Sequence, residues 1–320
     1  MSRTGRYIVL LAAFFGWLLA GFQLQITSLA MRSASIDLLG RSGRLDRARY
    51  KELTDLKQAH QKVESKKPKS ERKPFPHEPE WEKLNAPVKL WFSFCVVAFL
   101  LGAAAGGYVF GRLGDRIGRA TAMALAILSY SILSGATWLV QTPEQLLILR
   151  FFTCMGVGGM WPNGVALVAE AWSNFSRPMI AGLIGTSANV GIFIMATLGR
   201  VKDVTPDEWR WVMLVGASPI VLGFLCLFFV PESPSWLTAQ SQAVEKKENP
   251  SASAVFRSPY LGVTILGIIL ATIPLMGGWG VANWMMPWAD QEGPPGLKAQ
   301  VAQARSFTGT VASLLGGIIA

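Results

Sequence analysis

The sequence predicts an all-α integral membrane protein, and three observations carry that reading. Long apolar stretches recur through the 320 residues, 51% of which are hydrophobic. Charged residues make up 16%, against about 25% in a soluble domain. The apolar runs are continuous rather than alternating, which favours helices over the strands of a barrel. In lipid the backbone finds no water, so a spanning segment must satisfy its own N–H and C=O groups, as a helix does.

A helix needs roughly 20 apolar residues to cross about 30 Å of hydrocarbon. Eight candidate spans result: Tyr7–Leu29, Leu90–Gly111, Ala120–Val140, Leu146–Ala169, Pro178–Gly199, Trp211–Val230, Tyr260–Met286 and Phe307–Ala320. The first follows Arg3 and Arg6, as in a secretory signal. It is longer than such a signal and lacks a small-x-small cleavage site, so it reads as a retained helix. The eighth meets the chain end after 14 residues, too few to span. The sequence therefore reads as a fragment of a longer protein or a truncated gene product.

Six spans precede a polar break of 28 residues. The expected organisation is an N-terminal six-helix bundle over 1–230, a cytoplasmic linker over 231–258, and a partial second bundle over 259–320. Repeat-built transporters are divided in this way.

The formal charge is +10, and a basic balance can signal nucleic acid. Here 15 of the 30 Lys and Arg lie between Arg32 and Lys89, beside nine acids. That is a solvated polar loop over 30–89, and no nucleic-acid partner is expected. Within it, Leu45, Leu53, Leu56 and Val63 could line one side of a polar helix. Lys66–Pro79, rich in Lys and Pro, reads as extended or disordered.

Short-loop cations set orientation. With the N-terminus inside, nine (Arg3, Arg6, Arg112, Arg116, Arg119, Arg177, Lys246, Lys247, Arg257) face the cytoplasm and five (Arg200, Lys202, Arg210, Lys298, Arg305) face out. The expectation is a multi-pass protein of the cell membrane with a cytoplasmic N-terminus. The long basic loop would then be outside, which the rule tolerates because loops near 60 residues cross largely regardless of charge.

Cys95, Cys154 and Cys226 fall in spans and read as small apolar residues. His60 and His77 lack zinc spacing. No Ser/His/Asp set and no phosphate-binding glycine loop is present, so an enzyme is not expected, nor a metal or cofactor. Gly156-Val-Gly158-Gly159 sits inside an apolar helix, where it suits close packing.

The turn between the second and third spans reads Gly111-Arg-Leu-Gly114-Asp115-Arg116-Ile-Gly118-Arg119. Its glycines permit a tight turn and close helix approach. Asp115 can accept hydrogen bonds from arginines or a helix N-terminus. This stretch resembles the signature of the major facilitator superfamily, G-x-L-x-D-R-x-G-R. The resemblance implies the major facilitator fold, with this loop latching two six-helix bundles on the cytoplasmic side and Asp115 as the latch acid. Its partner helix would lie beyond Ala320.

Further positions resemble the sugar-porter and metabolite or aromatic-acid:proton symporter branches. Glu170 and Arg177 match a Glu and an Arg that form a charge network with the glycine-rich loop there. Pro231-Glu232-Ser-Pro234-Ser235-Trp236-Leu237 resembles P-E-S-P-R-x-L, with Ser235 in place of Arg. Gly16-Trp17-Leu-Leu-Ala20-Gly21-Phe22-Gln23 resembles G-W-x-x-D-G-F-D, with both acids replaced. Gly278-Trp279-Gly280-Val-Ala-Asn283-Trp284-Met-Met-Pro287 resembles G-Y-x-G-x-x-x-W-L-P. Two glutamines that sugar porters use align with Gly185 and Ile192.

Transport of a small organic solute by alternating access is implied, with the lipid bilayer and the solute as partners and protons as coupling ion if it is symport. A buried carboxylate would be the natural proton carrier. With Ala20 and Gln23 in place of the acids, facilitated diffusion or exchange stays as open as symport.

Arg150 lies about five residues into its span, some 7–8 Å deep at 1.5 Å per residue. An intramembrane Arg is a functional candidate, the alternative being snorkelling to the interface. The expected substrate residues are Gln23, Arg150, Trp161, Asn189, Trp279 and Asn283, although a buried polar side chain could equally have another helix as partner. Arg150 and Trp161 lie about 20° apart around their helix, given 100° per residue. Gly182, Thr186 and Asn189 share a face, as do Ala20, Gln23 and Thr27. Arg150 would attract an organic anion. A sugar or drug carrier, and a non-transporting sensor using the basic loop, are the competing readings.

Overall fold

The computed structural model describes residues 1–64, 66–71, 73–173, 176–246, 256–292 and 297–319. Among these, eleven α-helices carry nearly all the regular structure and no strand occurs. They are α1 (Arg3–Arg41), α2 (Arg47–Glu64), α3 (Glu78–Ile117), α4 (Arg119–Ala136), α5 (Pro143–Ala171), α6 (Arg177–Val201), α7 (Trp211–Ala217), α8 (Ile220–Phe229), α9 (Pro234–Lys246), α10 (Leu261–Glu292) and α11 (Leu297–Ile319). Seven segments are long and apolar enough to cross a membrane, with α7 and α8 counting as one. They coincide with the first seven expected spans.

The sixth span is broken where the sequence suggested one helix. Ser218 and Pro219 separate α7 from α8. Proline offers no N–H and its ring crowds the preceding turn, while the Ser218 hydroxyl donates to the Val215 carbonyl at 2.7 Å. The eighth expected span also differs: α11 starts at Leu297, ten residues before Phe307. Its first turns carry Lys298, Gln300, Gln303 and Arg305, whose polarity masked the helix in the sequence.

The expected polar loop over 30–89 is mostly helix. α1 continues past Leu29 to Arg41, and α3 already begins at Glu78. Ile36, Leu39, Leu45, Tyr50 and Val88 form a small core of their own there. The predicted helix exists as α2, but on a different face. Tyr50, Leu53 and Lys57 point inward, whereas Leu56 and Val63 are exposed. Lys57 turns in because its ammonium lies 3.5 Å from the Trp81 ring centroid and 3.0 Å from Glu78 Oε1, partners invisible to a count of apolar residues. In the stretch expected to be extended, Lys69–Glu71 form a 3-10 turn and Glu78–Pro79 start α3. The residues expected as a linker include the whole of α9.

Because the helices alternate in direction, the N-terminus, the α3–α4 turn, the α5–α6 turn and α9 share one end, the near end. Trp172 Nε1 donates to the Arg6 carbonyl there at 3.1 Å. The connections α1–α2–α3, α4–α5 and α6–α7 share the far end.

α1 is central, packing against α3, α5 and α6, while α5 also packs against α3 and α4. These contacts are made backbone to backbone at small residues. A Cβ on Gly106 of α3 would run into the Met155 backbone of α5, and a Cβ on Gly191 of α6 into the Leu18 carbonyl of α1. Dispersion and close fit, not water exclusion, hold helices together in lipid, so such positions bear directly on stability. α11 lies along α6, where Gly182 and Gly317 bring the two backbones together.

Gly106→Ala is expected to lower the thermal unfolding midpoint in detergent, through overpacking of about 1–3 kcal/mol. Gly111→Ala, where nothing lies within 4 Å of a new Cβ, is expected to leave it unchanged or raised. Parallel melts of the two variants check this.

Candidate functional site

Arg150 sits on α5 and is 3% exposed, so it does not reach the interface as snorkelling would require. Its guanidinium donates to the Gln23 carbonyl at 2.7 Å, to Gln23 Oε1 at 3.3 Å and to Thr27 Oγ1, and lies 5.9 Å from the Phe99 ring centroid. Gln23 and Thr27 are one turn apart on α1, so one side of that helix serves the whole fork. Gln23 uses its other end as well: Nε2 donates to the Gly216 carbonyl of α7 at 2.7 Å. One carboxamide therefore ties α5 to α1 and α1 to α7. A carboxylate at position 23 could accept from Arg150 but could not donate to Gly216.

Every acceptor around Arg150 is neutral. Among the described residues no carboxylate lies within ion-pair distance of it, and its Nε has no hydrogen-bond partner. A buried cation compensated only by dipoles is electrostatically costly and favours the approach of an anion.

Arg150 and Trp161, expected on one side of their helix, are far apart in height. Eleven residues separate them by about 16 Å along the helix. Trp161 instead packs on Trp17 of α1, ring centroids 4.8 Å apart and planes at 46°. A Cβ on Gly185 of α6 would lie 3.9 Å from both Trp161 and Ser313 of α11. Asn189 Nδ2 lies 3.4 Å from Ser313 Oγ and 3.3 Å from the Gly185 carbonyl. Trp17, Trp161, Gly185, Asn189 and Ser313 thus form a second cluster on the near-end side of Arg150, all partly accessible. Trp17 and Ser313 were not singled out from sequence. Trp17 stands in the quoted G-W pair, and Ser313 lies one turn from Gly309 and Gly317, a spacing that marks a packing face. The side chains of Trp279, Asn283 and Arg177 lie outside the described residues. Two surface clefts, of about 320 Å³ beside Val140 and Leu149 and about 590 Å³ beside Trp284 and Trp288, involve none of the expected substrate residues.

At the near end the structure gathers most of the expected latch residues. Asp115 pairs with Arg119 at 2.6 Å, and Arg119 Nε lies 3.9 Å from Glu170 Oε1. Glu232 accepts from the Ala120 N–H at 3.1 Å through either oxygen. It thereby places a negative charge on the N-terminus of α4, where the helix dipole welcomes one. Gly118 has φ +102°, and a Cβ there would meet the Glu232 carboxylate. A non-glycine residue would be both strained and obstructed. A Cβ on Gly114 would meet Asn163 Oδ1, while Gly111 has open space. Arg116 is exposed. Ser235, standing where the resembled pattern has Arg, still reaches Glu170 Oε2, at 2.7 Å, and Ser233 reaches the same oxygen. Trp236 Nε1 donates to the Asp115 carbonyl at 2.9 Å. The pattern of the loop signalled its glycines and acids, whereas the parts of Ser233 and Trp236 depend on how α9 folds back.

Gln23→Leu would leave both Arg150 and the Gly216 carbonyl short of a buried partner. An unsatisfied buried group costs about 1–3 kcal/mol. The variant is expected to melt at a lower temperature in detergent, while Gln23→Glu is expected to lose less because it keeps the Arg150 bond.

Residues 82–320 match the Major Facilitator Superfamily. The cis,cis-muconate transport protein of Acinetobacter baylyi is 30% identical over 225 residues, covering 69% of this chain and 54% of that protein. The 4-hydroxybenzoate transporter PcaK of Pseudomonas aeruginosa is 32% identical over 156 residues, covering 46% of this chain and 34% of PcaK. The chain thus spans about half or less of the length of these relatives. A crystal structure of a D-xylose-proton symporter superposes over 97% of this chain and 66% of its own with TM-score 0.58, and at 17% identity that likeness speaks to the fold. The match covers most of the sequence, and the apolar helices and signature turn agree with it: the chain belongs to the major facilitator superfamily.

Proposed function

We propose that the protein carries a small organic anion across the cell membrane by alternating access, with its N-terminus in the cytoplasm. The observation that carries this reading is Arg150, a buried cation whose hydrogen-bond acceptors are all neutral. An anion entering between the helices would supply the charge that the protein withholds. The Trp17–Trp161 pair supports a flat or apolar body for that solute. The names of two relatives agree, since muconate and 4-hydroxybenzoate are both carboxylates. Gly185, where sugar porters have a glutamine, gives no support to a sugar.

On this reading residues 1–230 are the first bundle, 231–258 the cytoplasmic linker and 259–320 the start of a second bundle. Gly111, Gly114, Asp115, Arg116, Gly118, Arg119, Glu170, Arg177 and Glu232 form the cytoplasmic latch. Gln23, Arg150, Trp161, Asn189, Trp279 and Asn283 are the proposed substrate residues. Coupling follows from position 23: a carboxamide cannot take up and release a proton near neutral pH, so facilitated diffusion or exchange is the reading its chemistry supports. Proton symport is the second reading, favoured by the D-xylose-proton symporter among the structural neighbours.

In proteoliposomes, counterflow of a labelled aromatic carboxylate is expected. Arg150→Ala is expected to lower it at least about tenfold, the equivalent of 1.4 kcal/mol lost from an interaction with a charged group. Full activity of Arg150→Ala with the same carboxylate would rule out the anion reading. A protonophore is expected to leave uptake down a solute gradient unchanged; accumulation driven by an imposed pH gradient would instead establish symport.

A further inference from the structure

We infer that the cap at the far end, formed by the end of α1, α2 and the start of α3, is a fixed part of the first helical bundle and does not open as a lid. The sequence offered a polar loop with one polar helix here, and nothing in the transport reading requires the cap either to move or to stay still.

Asp37 is the hub of the cap. Its carboxylate is 1% exposed and accepts four hydrogen bonds: from Arg41 Nε at 2.9 Å, Arg47 Nη1 at 3.2 Å, Trp209 Nε1 at 3.0 Å and Arg210 Nη1 at 2.7 Å. Two of these donors belong to the cap and two to the α6–α7 connection. Arg210 goes further, donating to the Trp138 carbonyl at 3.2 Å and the Val140 carbonyl at 2.9 Å. One buried carboxylate therefore joins the three connections that close this end of the bundle.

Other bonds repeat the same links independently. Ser33 Oγ donates to the Val204 carbonyl at 2.8 Å, Arg47 pairs with Asp207, and Arg44 pairs with Glu144 at the start of α5. Within the cap, Arg32 Nη2 donates to Tyr50 Oη at 2.8 Å and to Asn85 Oδ1 at 3.1 Å, which holds α1, α2 and α3 together. Lifting the cap would strip Asp37 of Trp209 and Arg210 at once. A buried charge separated from its partners is among the more costly changes a protein can make. A segment that opens in each cycle is drawn from the weakly held parts of a structure, and this one is not.

The test replaces Arg44 and Glu144 by cysteine and joins them with a short bis-methanethiosulfonate reagent, whose disulfides a reductant reverses. The native Cys95, Cys154 and Cys226 are buried. Uptake by the joined protein is expected to equal that of the same variant before joining. Loss of uptake on joining, restored by reductant, would overturn the inference. This arm rests on the transport reading; a second does not. Spin labels on the same two cysteines, in vesicles with and without an aromatic carboxylate, are expected to give a single narrow distance distribution. Two populations, or a distance that changes with the ligand, would overturn the inference whether or not the protein transports. Adding Asp37→Asn is expected to broaden the distribution, and an unchanged one would remove Asp37 from its assigned role.

Discussion

The structure depends on a positive charge held inside the helices by neutral groups. Arg150 donates its hydrogen bonds to one side of α1, and Gln23 passes the connection on to the Gly216 carbonyl of α7. Three helices are thereby aligned in height and rotation by two side chains. Packing between small residues brings the helices close, but smooth contacts of this kind leave sliding inexpensive. Directional bonds to a guanidinium supply the register that glycine and alanine cannot. The same arrangement leaves a buried cation with no carboxylate beside it among the described residues, so what aligns the helices is also the basis of the proposal that the solute is an anion.

Much of this was legible in the chain. The first seven spans were visible because each carries enough apolar residues to cover hydrocarbon, and lipid allows few alternatives to a helix. Gln23, Thr27 and Arg150 stood out because polar groups are scarce in such segments. The pairing of Arg150 with Gln23 was not legible, because it depends on the relative height of α1 and α5, which sequence spacing leaves open. The Ser218–Pro219 break was in principle readable from the proline. It was hidden by the hydrophobicity on both sides.

The cap was the largest surprise, and its cause is specific. Asp37 looked like one acid among nine in a charged stretch. Yet it is flanked by Ile36, Leu38 and Leu39, and Arg41 follows one turn later. An acid within an apolar run is the pattern of a buried, partnered carboxylate, but Trp209 and Arg210 are more than 170 residues away. Long-range partners of this kind decide which parts of a polar segment are solvated and which are core.

The placement of Glu232 and Trp236 has a mechanical consequence. Glu232 is anchored at the head of α4, and Trp236 holds the Asp115 carbonyl just as the chain enters α9. The 13 residues of α9 span about 20 Å. The chain that follows α8 therefore starts as a bracket rather than a slack tether. Any force on α9 would meet the α3–α4 turn first, through the Trp236 and Glu232 bonds.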